Sequence, residues 1–204
     1  MTIAADRTGT PRTATAVKIV IAGGFGVGKT TLVGAISDIT PLTTEAAITT
    51  ASTHVDDIGA VPDKQTTTVA MDFGRVDLDP TLVLYLFGTP GQQRFWFMWD
   101  ELLHGAIGAV VLIDPARIAD CFAALDFFEH RSVPYVVAVN RFDHAPTFGD
   151  GELRLSLQIA DTVPLHHLDA RNHHDVRNVL VLLVEHALAT RRGRAGRPAA
   201  PTRS

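Results

Sequence analysis

Cysteine is nearly absent from this chain: the 204 residues contain one, Cys121, which excludes an intrachain disulfide framework. Lysine is almost as scarce. Only Lys18, Lys29 and Lys64 stand among the 18 basic residues, so each of them invites a functional question. Aromatic residues make up 7%, and no apolar run approaches the ~20 residues that cross a bilayer, which excludes a spanning helix. There is no internal repeat, no N-terminal targeting pattern and no lipidation motif in the final Pro-Thr-Arg-Ser. Together with the single cysteine, these absences lead to the expectation of a cytoplasmic protein.

The composition that remains is that of a globular domain, with 46% hydrophobic and 20% charged residues. The net charge of -4 is unevenly spread. Residues 191–204 hold five arginines and no acid, and taking these from the 18 basic residues leaves 13 against 22 acids, an acidic body of -9. Nucleic acid is therefore not an expected partner; the basic end could make a weak peripheral contact with anionic lipid. Residues 1–16 and 191–204, small, polar and rich in Pro, Gly, Thr or Arg, are expected to be flexible tails around a domain at 17–190.

Within that domain, Val- and Ile-rich runs begin near residues 18, 69, 82, 106, 133 and 163, and helical patterns fall near 28–38, 92–104, 116–131, 149–160 and 173–190. This alternation predicts a three-layer α/β fold with a six-stranded, mostly parallel sheet. The turn residues between Val76 and Thr81 make strand two antiparallel to strand three. The link at 39–67 is long and lacks a clear helix, which marks it as functional or mobile.

Gly23-Gly24-Phe25-Gly26-Val27-Gly28-Lys29-Thr30 fits G-x-x-x-x-G-K-[ST] and lies between an apolar strand and a helix, the context that this P-loop motif requires. Glycines let the backbone wrap phosphate oxygens so that successive N–H groups and the helix N-terminus face the negative charge. Lys29 adds a positive charge against the β- and γ-phosphates, and the Thr30 hydroxyl is a ligand for Mg²⁺, with Thr31 closing the nucleotide-binding stretch. Phe25 puts bulk where an attacking water or an arginine finger would work, so unassisted hydrolysis is expected to be slow.

Strand five ends in Asn140-Arg141-Phe142-Asp143, an N-[KR]-x-D pattern. Its terminal carboxylate can accept from the N1 and N2 donors of guanine, a pair that adenine does not offer. Arg141 can pack its stem and planar group on the base. Asp169-Ala170-Arg171 follows the last strand, where a loop covering the base belongs.

With these strings in place, residues 17–190 resemble the Ras-like small GTPases. The segments GGFGVGKTTLVGAIS, KQTTTVAMDFG and LYLFGTPGQQRFWFMWDELLHGAIGAVVLID look like those of the actinobacterial conservon GTPases, relatives of the MglA-type GTPases. The resemblance implies a GDP/GTP switch with Mg²⁺, and partners that include a Roadblock/LC7-type protein and a histidine-kinase-like membrane protein. That pairing would bring the chain to the inner face of the cell membrane. Matching Asp72-Phe73 to a Rab-like T-x-G-x-D-F element places Thr68 as the switch threonine facing Mg²⁺ and the γ-phosphate, with Thr66 and Thr67 as alternates. Gly88-Thr89-Pro90-Gly91-Gln92 stands where D-x-x-G-Q is expected, with Gly88 replacing the aspartate that holds Mg²⁺ through water. By resemblance to the MglA-type proteins, Asp72 compensates. Gly91 N–H is the γ-phosphate contact, and Gln92 matches the water-orienting glutamine, with Gln93 as second choice, so the catalytic set is Lys29, Gly91 and Gln92. Arg75 and Arg94 read as surface charges, which leaves any arginine finger to a partner.

Other features are read more plainly. Phe95-Trp96-Phe97-Met98-Trp99 spans more than a helical turn of azimuth, so these side chains cannot all face one core: either the helix is wedged between the core and a folded switch I, or some of them form a docking face for a partner. Asp114 could end a Walker B strand of an ATPase, but before Pro115 it also suits a helix N-cap. Cys121 reads as core, and the His166-His167 and His173-His174 pairs lack metal-ligand spacing. The expected function is a GTP-hydrolysing switch. The alternatives are a pseudo-GTPase that holds guanine nucleotide without hydrolysis, and an ATPase using Asp114.

Overall fold

Strand β1 (Thr15–Gly23) lies at the centre of the sheet, and its apolar run is continuous because both of its faces are covered. Ile19 and Ile21 enter one buried cluster, whereas Val20 and Ala22 enter another on the opposite face. The computed structural model describes residues 14–49, 66–91, 97–143 and 145–195, and for 43–49, 66–70 and 194–195 the backbone alone.

Strands β4 (Leu82–Gly88) and β5 (Ala106–Ile113) flank β1 in parallel, and β6 (Tyr135–Asn140) and β7 (Leu165–Leu168) extend the sheet beyond β5. On the other side, β3 (Thr66–Asp79) runs antiparallel to β4. Their turn is fixed by Asp79, whose Oδ1 accepts from both the backbone N and the Oγ1 of Thr81 at 2.6 Å. All six expected strands are present. A seventh, β2 (Leu42–Thr49), pairs antiparallel with β3 at the sheet edge, giving the order β2-β3-β4-β1-β5-β6-β7. It occupies the start of the link that the sequence left without structure. Its threonine-rich LTTEAAIT has β-propensity but no clean alternation, and β3 supplies the ladder it needs.

Helices α1 (Lys29–Ile36) and α5 (His173–Ala195) cover one face through Leu32, Val33, Val176, Val179 and Leu183. The short α2 (Trp99–Leu103), with α3 (Phe122–His130) and α4 (Asp150–Leu157), covers the other through Trp99, Leu125, Phe128 and Leu153. Pro115–Cys121, expected as the start of a long α-helix, instead forms a 3-10 helix, interrupted by non-helical dihedrals at Arg117. Among the described residues, regular structure begins with β1 at Thr15 and α5 continues through Ala195, five residues beyond the helical pattern expected at 173–190.

This topology places a crevice at the carboxyl-terminal edge of the sheet. The connections from β1 and its neighbours depart to opposite faces at the carboxyl ends of the strands, where open α/β sheets bind ligands. The P-loop, the end of β4, the end of β6 and the end of β7 all converge there.

Candidate functional site

The loop after β1 turns into α1 through Gly28, which adopts φ 104°, a left-handed conformation that disfavours any side chain. A Cβ on Gly28 would also lie 2.7 Å from Asn140 Nδ2. Among the described residues no side chain caps α1, and its first turn holds no acid, so its leading N–H groups are left for an anion. Lys29 is 8% exposed, and its Nζ donates to the carbonyls of Gly23 and Gly24 at 2.9 and 2.7 Å. Burial pushes its ammonium down to about 8, against the pull of the Asp72 carboxylate.

Thr30 Oγ1 donates to Asp72 Oδ2 at 2.8 Å. Asp72 and Gly88 are direct partners on the β3–β4 ladder, and a Cβ on Gly88 would lie 3.0 Å from both the Cβ and Oδ2 of Asp72. The carboxylate absent from position 88 is thus present one strand across, and Gly88 leaves the room it occupies. Thr30, Asp72, Lys29 and Gly91 line a cavity of ≈ 330 Å³, with Phe25, Gly26, Gly28, Thr31 and Thr89 completing its wall. A hydroxyl paired with a carboxylate at the edge of an anion-binding loop is a donor set of hard oxygens that suits Mg²⁺. Gly91 packs on the loop, for a Cβ there would lie 2.9 Å from both Lys29 Nζ and the Cα of Phe25. The Phe25 side chain is 70% exposed at the rim. Thr89, which the sequence did not single out, is buried, and its hydroxyl has no hydrogen-bond partner among the described residues.

A second cavity of ≈ 190 Å³ adjoins the first and shares Gly26, Gly28 and Thr31 with it. Its remaining wall is Asn140, Arg141, Phe142, Asp143, Asp169, Ala170 and Arg171, so the structure brings together the two strings that the sequence assigned to the base. Asn140 serves as a brace here. Its Nδ2 donates to the Val27 carbonyl at 3.0 Å and its Oδ1 accepts from Ala170 N at 3.0 Å, which joins the P-loop to the loop after β7. Asp143 stands open, with its side chain 81% exposed. Hydrogen bonds from Arg171 hold the Asp169 carboxyl down at about 2.

Of the other expected site residues, the Thr68 side chain and Gln92, Gln93 and Arg94 lie outside the described residues, as does Lys64. Phe95 and Trp96 lie outside them too; Phe97 is exposed while Trp99 is buried against Phe127 and Phe128. Asp114 caps the 3-10 helix, accepting from Ala116 N and Arg117 Nε at 2.9 Å, as its N-cap reading requires. Lys18 Nζ is used structurally, donating to the His104 carbonyl at 3.0 Å above the Phe87 ring. Cys121 is core, with burial pushing its thiol up to about 12.

An α/β sheet with one antiparallel strand and a P-loop at its centre defines the fold of P-loop GTPase domains. Solved structures agree. The G domain of the T. maritima FeoB iron transporter matches with a TM-score of 0.59 and 19% identity, covering 85% of this chain and 99% of that one. The Arl6 BBS3 small GTPase of Trypanosoma brucei, solved with the nucleotide analogue GppNp, matches with a TM-score of 0.61 and 16% identity, covering 86% and 99%. Within that fold, the chain belongs to the family described as conserved hypothetical ATP binding protein, which it matches over residues 21–191. The uncharacterized protein MJ1339 of Methanocaldococcus jannaschii is 31% identical over 129 residues, 62% of this chain and 71% of that protein.

Proposed function

We propose that this protein binds guanine nucleotides with Mg²⁺ and hydrolyses GTP slowly, acting as a switch between its GDP and GTP forms. The observation that carries this reading is the junction of the two cavities: Asp143, at the end of an N-[KR]-x-D string, opens into a pocket that shares Gly26, Gly28 and Thr31 with the phosphate cavity. In this reading the main-chain N–H groups of residues 24–30 and the Lys29 ammonium stabilise charge on the transferring phosphoryl group. The Gly91 N–H meets the γ-phosphate, and Gln92 orients the attacking water. Thr30 and Asp72, with Thr68 in the GTP form, would hold Mg²⁺, which neutralises phosphate charge. Phe25 at the rim supports slow unassisted turnover, with a partner such as a Roadblock/LC7-type protein supplying assistance in the cytoplasm, and a histidine-kinase-like membrane complex is a further partner by resemblance.

The description of the family as ATP binding favours a second reading, in which the base is adenine. Competition of GDP and ADP for the site separates the two. Guanine recognition through Asp143 requires Asp143→Ala to abolish the preference for GDP, and a wild-type protein that binds ADP more tightly than GDP overturns it. Single-turnover phosphate release distinguishes the hydrolase from a pseudo-GTPase, which would retain GTP intact.

A further inference from the structure

The base pocket contains its own cation beside the carboxylate that reads guanine. Arg171 Nε donates to Asp169 Oδ1 at 2.9 Å and Nη2 to Asp169 Oδ2 at 2.8 Å, so one edge of the guanidinium is held in a bidentate pair. The nitrogen left over, Nη1, lies 3.9 Å from Asp143 Oδ2. The anchor is itself fixed, because the backbone N–H of Asp169 donates to Asp175 Oδ2 at the first turn of α5 and its Oδ1 also accepts from the backbone N–H of Arg171. A planar group offering N–H donors to Asp143 presents the chemistry of guanine's N1 and N2 edge.

A site discriminates against a base that lacks those donors by leaving its own acceptor unpaired beneath it. Here Asp143 has a substitute at hand. Under adenine, Arg171 closes the short remaining distance and satisfies the carboxylate; under guanine, the base edge displaces it and Arg171 stays on Asp169. We propose that Arg171 is a specificity-determining residue, a surrogate donor to Asp143 that lowers the discrimination between guanine and adenine nucleotides. The proposal rests on the guanine-nucleotide reading above and makes a separate claim, about the ratio of two affinities.

The test is a competition of GDP and of ADP against a fluorescent GDP analogue, on the full chain with Mg²⁺. The proteins are wild type, Arg171→Leu, Arg171→Lys, Asp143→Ala and the Asp143→Ala/Arg171→Leu double variant, with circular dichroism to verify folding. Arg171→Leu is expected to raise the ratio of the ADP to the GDP dissociation constant about tenfold, or ~1.4 kcal/mol. Arg171→Lys keeps a donor and retains a ratio nearer wild type. In the Asp143→Ala background, removing Arg171 leaves the ratio unmoved, because the surrogate has no acceptor to serve. Equal weakening of both nucleotides by Arg171→Leu overturns the proposal and makes Arg171 a general lid, with the guanine reading intact. An Asp143→Ala variant that keeps wild-type affinity for both nucleotides refutes the guanine reading, and the surrogate with it.

Discussion

Putting the missing aspartate back at position 88 is expected to damage this protein. In the D-x-x-G pattern that position carries a carboxylate, so Gly88→Asp looks like a repair. Yet a Cβ there lies 3.0 Å from Asp72 Oδ2, and Asp72 is itself buried on the facing rung. Two carboxylates about 4 Å apart repel by ~4 kcal/mol at an effective dielectric near 20. Part of that is relieved by proton sharing or a shift of the hairpin, which leaves an expected loss of about 2 to 4 kcal/mol in urea denaturation at neutral pH. The loss should shrink on acidification as one carboxyl of the pair takes up a proton. Release of a fluorescent nucleotide after EDTA addition should also be faster than in wild type, because the Thr30–Asp72 pair is disturbed. The reciprocal double variant, Asp72→Gly/Gly88→Asp, carries one carboxylate on the same rung and should recover at least half of the lost stability. A Gly88→Asp protein as stable as wild type at neutral pH, with Asp72 intact, would refute the idea that the two positions compete for one carboxylate.

Three other outcomes follow from the same geometry. Lys29 has been pushed down to about 8 by burial, so above that pH the empty site must take up a proton to present an ammonium to phosphate; nucleotide affinity should be flat near neutrality and fall by up to tenfold per pH unit above about 8, and Lys29→Met should remove this dependence. Without nucleotide the sign reverses: the fold should gain stability as pH rises from about 8 toward 10.5, where the unfolded chain holds a proton that the folded chain has released, and pH-dependent urea midpoints measure this. Asn140→Ala would orphan the Val27 carbonyl and the Ala170 N–H together, an expected cost of about 2 to 4 kcal/mol by denaturation, with weaker binding of both GDP and ADP.

The parts of the site that were legible in the sequence are those built from consecutive residues at the end of a strand. Gly23–Thr31, Asn140–Asp143 and Asp169–Arg171 each needed only a local string and a preceding apolar run, and the sheet order then brings them together. What crosses between strands was harder to read. The opposition of Asp72 and Gly88 depends on the register of a hairpin whose residues are far apart in the chain, and the sequence offered Asp72 as a compensating ligand only by resemblance. The two bonds of Asn140 likewise join two loops to the end of β6, and nothing in the N-[KR]-x-D string marks its asparagine as a brace. Edge strand β2 lacks alternation and exists by virtue of β3. Helix α5 overran its expected end because a helix already more than four turns long adds Arg191, Arg192, Arg194 and Ala195 without a new nucleation cost, which offsets the poor propensity of Gly193.

The Asn140 brace has a kinetic consequence. One amide head holds the phosphate loop by Val27 and the base loop by Ala170, so neither wall of the crevice can swing outward without pulling on the other. A nucleotide in this crevice would lie between two walls tied by one side chain. Escape from it would then be one cooperative opening of both ends.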